Sequence, residues 1–243
     1  MSNILRIDAS VRQARSLTRM MSDLFLKKWR ETGSIPNVIR RDVGLNPPPA
    51  ISEDWVAAAF TPLEQRSPEQ CALLKTSDGF IEEVEQADII LIATPMYNYG
   101  MPAALKAWVD QVVRVGKTFT FDLARGDRPL EPIFSGKTLV LLTASGEFGF
   151  GRGELNEGAD HLVPHLRTIS KYLGADDIHH VGIEYQEFGD HRFDGSKADA
   201  IREVEHLARD LVEGRSDSSY RMSAPASAAT KSLHATILGV ARS

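Results

Sequence analysis

Apolar positions along residues 1–213 alternate between short unbroken runs and helically spaced stripes. The clearest run is Ile89-Ile90-Leu91-Ile92-Ala93. A run that short, with no polar residue interleaved, reads as a strand buried on both faces, as in a parallel sheet. It stops at Thr94-Pro95, where proline removes a ladder donor. After the loop Met96-Tyr97-Asn98-Tyr99-Gly100, helical spacing starts at about Pro102, with Leu105, Trp108, Val109 and Val112 on one stripe. Further strands are read at 3–9, 37–42, 137–145 and 178–184. Helices are read at 17–31, 67–86, 155–173 and 195–213, with a short one at 55–60 and an irregularity near Pro164. Residues 117–134 read as a small hairpin or extended flap. Five strands alternating with helices predict a three-layer α/β sandwich.

A flavodoxin-like strand order, 2-1-3-4-5, sets the loops after strands 1 and 3 side by side, where open α/β sheets bind ligands. The loop after strand 1, "SVRQARSLTR", holds Ser10, Arg12, Arg15, Ser16 and Thr18. Hydroxyls and free N–H groups at the start of a helix make an anion site, although this loop taken alone favours Ser16 as a plain N-cap, and only the rest of the pattern changes that. The loop after strand 3 offers flat rings, a side-chain amide and backbone groups, which suit a large heteroaromatic ligand better than a metal. Three motifs fail on spacing or context. "SGKT" at 135–138 has Glu131 where a P-loop needs glycine, and it precedes a strand. "GFGRG" at 149–153 lacks dinucleotide-loop spacing and follows the fourth strand. His161 and His165, four apart on the expected helix, have no evident third ligand, and His179 and His180 point to opposite faces of a strand.

Composition narrows the picture further. Of 243 residues, 42% are hydrophobic and 25% charged, as in an ordinary globular protein of this size. The formal net charge of −5 gives no bulk field favouring nucleic acid. No apolar segment approaches membrane-span length and none resembles a secretory leader, so a soluble cytoplasmic protein is expected. Cys71, the single cysteine, excludes an intrachain disulfide and is expected to pack in the core of its helix.

The stretch "PMYNYGMPAALKAWVDQVVRVGKTF" closely resembles the corresponding segment of the FMN-dependent NAD(P)H azoreductases and quinone reductases. The resemblance runs over about residues 1–213 in element order and is dense at 95–119. It implies a flavodoxin-like homodimer that binds FMN, takes electrons from NADH or NADPH, and reduces quinones or azo compounds by ping-pong hydride transfer. It places the FMN phosphate at Ser10 and at Ser16-Leu17-Thr18. It places the isoalloxazine ring against Pro95, Met96, Tyr97, Asn98 and Tyr99. The family's loop after strand 4 usually reads serine-arginine-glycine-glycine. Here that loop is Ala144-Ser145-Gly146-Glu147, which keeps Gly146 and sets an acid beside the ring, where it would disfavour a reduced anionic flavin. The cofactor itself carries the hydride chemistry, so no catalytic side chain is expected.

Two alternatives accompany this reading: a flavodoxin-like electron carrier, and an FMN-free binding module on the same fold. For the 2′-phosphate of a donor, Arg12, Arg15 and Arg125 are candidates. For a subunit boundary, the aromatic candidates are Trp55, Phe60, Phe119, Phe121, Phe148 and Phe150. The FMN-binding domain is expected to span 1–214. Residues 215–243 form a C-terminal extension, read either as a frayed tail or as an arm extended over 215–229 and anchored near 233–240.

Overall fold

The apolar run at 89–93 becomes the middle strand of a five-stranded parallel sheet. The structure, a computed structural model, describes residues 2–214, so the extension at 215–243 and its expected anchor lie outside the described residues. In chain order the elements are β1 (Asn3–Asp8), α1 (Leu17–Glu31), β2 (Asn37–Asp42), α2 (Glu53–Phe60), α3 (Pro68–Gln86), β3 (Ile89–Pro95) and α4 (Ala103–Val112). They continue with β4 (Phe119–Phe121), β5 (Leu130–Pro132), β6 (Lys137–Ala144), α5 (Val163–Ile169), β7 (Ala175–Ile183) and α6 (His191–Glu213). The main sheet runs β2-β1-β3-β6-β7, all parallel, which is the expected order 2-1-3-4-5 once the hairpin is set aside. The antiparallel hairpin β4-β5 occupies the expected flap.

Each unbroken apolar strand feeds two cores, because successive side chains point to opposite faces. Ile90 and Ile92 of β3, with Leu139 and Leu141 of β6, pack under α3, α4 and α5. Ile89, Leu91 and Ala93, with Val140 and Leu142, pack under α1 and α6. The α4 stripe is buried as its spacing predicts, with Leu105, Trp108 and Val112 fully inaccessible. Side chains of this size contribute about 1.5–3 kcal/mol each when fully buried. Polarity enters the core in β1, where Arg6 and Asp8 are 3% and 5% exposed. Burying charges requires partners. Arg6 donates to Asp8 at 2.8 and 3.2 Å and also pairs with Asp23 of α1.

Several expectations need correction. The helix read at 155–173 is confined to Val163–Ile169 and a 3-10 turn at Ser170–Leu173. Gly153 and Gly158 stand at φ +80° and +81°, outside α-helical geometry. Pro164 is therefore no irregularity; it sits in the first helical turn, where its missing N–H costs nothing. His161 precedes α5, so it shares no helix face with His165. Cys71 is exposed, because the buried stripe of α3 begins only at Leu74. Trp55 is 8% exposed and donates from Nε1 to Gln111 at 3.0 Å, within its own chain. It lies on a regular helix, not on an irregular boundary segment. Lys137 of "SGKT" is a strand residue whose ammonium donates to the carbonyls of Glu85 and Ala87 at 2.8 and 2.7 Å. Among the described residues, no helix is long and apolar enough to cross a membrane.

Candidate active site: a cleft at the strand-order switch

At the carboxyl ends of β1, β3 and β6 lies a cleft of about 210 Å³. Its walls include Ser10, Arg12, Arg15, Ser16, Leu17 and Thr18 on one side and Pro95, Met96, Tyr97, Ala144 and Gly146 on the other. Gln186 and Glu187 close the third side. The β1 and β3 loops meet here because chain order reverses between these neighbouring strands.

The first wall is built around the start of α1. Ser10, Ser16 and Thr18 are all buried, at 2%, 6% and 1% exposure. Ser10 Oγ accepts from the Arg12 N–H at 3.2 Å, and Ser16 Oγ lies 3.2 Å from Thr18 Oγ1. Ser16 is also the N-cap, accepting from the Arg19 N–H at 3.3 Å. Capping and cleft lining therefore coexist in this one residue. The first turn of α1 carries no acidic side chain to oppose an incoming anion.

The second wall is a tight turn. Tyr97 and Gly100 exchange backbone hydrogen bonds of 3.0 Å each way. Asn98 and Tyr99 between them stand at φ +48° and +64°, as a type I′ turn demands. Asparagine tolerates this region, whereas tyrosine enters it at a cost on the order of 1–3 kcal/mol. Tyr99 is held at both ends: its carbonyl accepts from the His161 N–H at 2.9 Å, and its hydroxyl donates to Glu147 at 3.1–3.2 Å. That hydrogen bond, and then the charge of Glu147, raises the Tyr99 phenol above its ordinary pKa and keeps it a neutral donor. Met96 N–H donates to the Ala144 carbonyl at 2.8 Å and so ties the turn to the end of β6.

The third side was not legible in the sequence. Gln186 and Glu187 follow β7, and their N–H groups donate to the carbonyls of Ser145 and Gly146 at 3.1 and 3.2 Å. A Cβ on Gly146 would meet Glu187 Cγ at 2.5 Å, so the retained glycine leaves the space that this side chain crosses. Behind the loop, Phe148 stacks on Tyr185 at 4.2 Å, and the Arg192 guanidinium lies 4.5 Å from the centre of the Phe188 ring. Of the residues singled out from the sequence, Ser10, Ser16, Leu17, Thr18, Pro95, Met96, Tyr97, Ala144 and Gly146 line the cleft. Asn98, Tyr99, Ser145 and Glu147 flank it instead, with Ser145 Oγ donating to the Glu147 carbonyl at 2.8 Å. Arg12 and Arg15 line it, while Arg125 is engaged by Glu131 and the Pro129 carbonyl within the flap.

A doubly wound parallel sheet of this order, with an anion-suited loop and an aromatic turn converging at its switch point, defines a flavodoxin-like protein. The model for the flavodoxin-like fold family, Flavodoxin_2, matches residues 2–207, and the chain belongs to that family. It is 55% identical over 207 residues to the FMN-dependent NADH:quinone oxidoreductase 2 of Colwellia psychrerythraea, covering 85% of this chain and 94% of that one. It is 52% identical over 225 residues to the protein of the same name from Idiomarina loihiensis, covering 90% and 94%. Among solved structures, the azoreductase from Bacillus anthracis superposes with a TM-score of 0.76 at 19% identity, over 86% of this chain and 100% of that one, a likeness of fold.

Proposed function

We propose that this chain is an FMN-dependent oxidoreductase that uses NADH to reduce quinones, and azo compounds as further acceptors. The observation that carries this reading is the donor set of the cleft. Three buried hydroxyls, two arginines and an acid-free helix start suit one phosphate dianion. They stand opposite a turn bearing Met96 and Tyr97, which suits a flat ring. Among the described residues that line the cleft, there is no second cluster of this kind, as a dinucleotide would require. The relatives' names, which specify FMN, NADH and quinone, support the same assignment.

In this reading, Ser10, Ser16, Leu17 and Thr18 hold the phosphate end. Pro95, Met96, Tyr97, Asn98 and Tyr99 support the ring from one side, and Ala144, Ser145, Gly146 and Glu147 border its edge. Bound there, FMN supplies a two-electron centre that accepts hydride from NADH and delivers it to the acceptor. The protein's part is to bind, orient and shield. At about 210 Å³ the cleft is smaller than the 300–1,000 Å³ typical of sites enclosing a drug-sized ligand, so it would seat a flavin without enclosing it, as a site visited by both substrates in turn requires. Steady-state kinetics test this: NADH and a benzoquinone varied together should give parallel double-reciprocal lines. Intersecting lines would remove the shared-site mechanism.

We further propose a cytoplasmic homodimer whose FMN-binding domain ends at Gly214, with 215–243 as an addition to it. The dimer is supported by apolar side chains left uncovered on the chain, including Phe60 at 71%, Leu63 at 69% and Leu123 at 74% exposure. The boundary is supported by the left-handed Gly214 cap that ends α6. Equilibrium sedimentation of the full chain at micromolar concentration should give twice the mass of one chain, and a single-chain mass would reject the dimer.

A further inference from the structure

Arg19 lies one turn into α1 and does not line the cleft, yet it is the most heavily bonded side chain next to it. Its Nη2 donates to the Ser10 carbonyl at 2.7 Å, and its Nε donates to the Arg12 carbonyl at 2.9 Å. The same guanidinium is gripped bidentately by Asp42, at the end of β2, at 2.5 and 2.8 Å. Asp8 at the end of β1 stands 3.7 Å away. Asp8 is fixed in turn by Arg6 and by the Ser22 hydroxyl, which donates to it at 3.2 Å. The Arg19 side chain is 13% exposed.

This pattern has a directional consequence. No peptide bond among the described residues is cis, so each carbonyl points opposite to the N–H that follows it. Pulling the carbonyls of Ser10 and Arg12 toward Arg19 therefore turns the N–H groups of Val11 and Gln13 away from it, although neither residue lines the cleft, and occupies two acceptors that would repel an anion. A planar guanidinium makes both backbone contacts and the bidentate carboxylate contact at once, which a lysine ammonium cannot do. Because Asp42 and Asp8 balance its charge, Arg19 is not itself a counter-ion for a ligand.

We propose that Arg19 is the positioning residue of the anion loop: anchored by Asp42, it engages the carbonyls of Ser10 and Arg12, so that these acceptors are withheld from a phosphate held by the cleft-lining hydroxyls of Ser10, Ser16 and Thr18. The inference rests on the FMN reading and assigns to Arg19 the phosphate preference of the site. It predicts a discrimination between FMN and riboflavin, which differ only in that phosphate.

The test titrates full-length protein, stripped of flavin, with FMN and separately with riboflavin, following the quenching of flavin fluorescence. Wild type, Arg19→Met, Arg19→Lys and Asp42→Asn are compared, with thermal unfolding of each without ligand. Arg19→Met should weaken FMN binding roughly 10- to 100-fold, the scale of one charge-assisted hydrogen bond, with riboflavin binding little changed. Arg19→Lys should fall between, and Asp42→Asn should shift the same ratio in the same direction. If the wild type prefers FMN and the variants keep that preference, or lose both flavins equally, the positioning role is wrong while the FMN reading stands. If the wild type itself binds riboflavin as tightly as FMN, the phosphate site fails and the inference with it. Should Arg19→Met not fold, the Arg19→Lys and Asp42→Asn ratios decide.

Discussion

Substituting Gly44 by alanine tests the loop geometry from its other side. Gly44 follows β2, and its N–H donates to the Asp8 carbonyl at 3.1 Å. A Cβ built there would lie 2.3 Å from the Ser10 carbonyl oxygen, 2.7 Å from the Ser10 carbonyl carbon and 3.0 Å from the Ala9 carbonyl carbon. Ordinary contact begins near 3.4 Å, so one backbone must retreat by about 1.1 Å. All three atoms are main chain, and no rotamer change relieves the clash. Overpacking of this kind costs about 1–3 kcal/mol. The displaced atom is the oxygen that Arg19 holds, so part of the strain falls on the anion loop. Gly44→Ala should thus lower urea stability by that amount and reduce the preference for FMN over riboflavin. Gly79→Ala is the matched control: Gly79 lies inside α3 with nothing within 4 Å of its Cβ position. There, relief of the glycine entropy cost should raise stability by about 0.5–1 kcal/mol and leave flavin preference alone. If Gly44→Ala matches wild type in both stability and flavin preference, the packing of β2 against the Ser10 loop is not as described.

Three further outcomes are expected. Glu147→Gln removes a negative charge beside the cleft, so the KM of a sulfonated naphthoquinone should fall a few-fold relative to that of its neutral parent, less so at high salt; equal changes in both would deny Glu147 a role in selectivity. Burial acts to raise the Asp42 carboxyl, but the Arg19 hydrogen bonds, the Leu45 N–H and nearby arginine charge outweigh it, and its pKa lies below the ordinary 3.8. Its stabilising contribution is accordingly complete above that ordinary value and is lost as pH falls through the lowered one; Asp42→Asn should flatten this acid limb in urea titrations, and an unchanged limb would assign it elsewhere. Leu141→Ala, at a fully buried position of β6, should cost about 2–5 kcal/mol in urea unfolding, yet preserve the FMN-to-riboflavin ratio; a changed ratio would mean that core packing, not the loop, sets it.

The middle of the sheet was legible because β3 and β6 are buried on both faces, and their apolar runs stand apart from the helical stripes around them. The strand at 37–42 and the helix at 17–31 match their expected limits, since turn residues bound both. The region 146–162 was not legible. Leu155, Leu162, Val163 and Leu166 suggest a helix, but glycines in left-handed conformation decide the backbone there, and Leu155 ends up 78% exposed. In the cleft, the hydroxyl loop and the aromatic turn are short contiguous segments, and their residue types announce them. Gln186 and Glu187 carry no such local signal. Their place depends on pairing between the loops after β6 and β7, some forty residues apart. Arg19 was hidden because its role needs two segments at once: the carbonyls of Ser10 and Arg12 in the loop after β1, and the carboxylate of Asp42, 23 residues on, at the end of β2.

The central claim is that one cleft serves a bound flavin, NADH and a quinone in turn. Anaerobic stopped-flow spectroscopy of the purified full chain tests this most directly. With FMN bound, mixing with NADH alone should bleach the absorbance near 450 nm in a single turnover, and a later mix with benzoquinone should restore it without further NADH. A preparation that binds FMN but is not bleached by NADH would contradict the account and make the chain an electron carrier, and one that FMN cannot reconstitute would contradict it at the site itself.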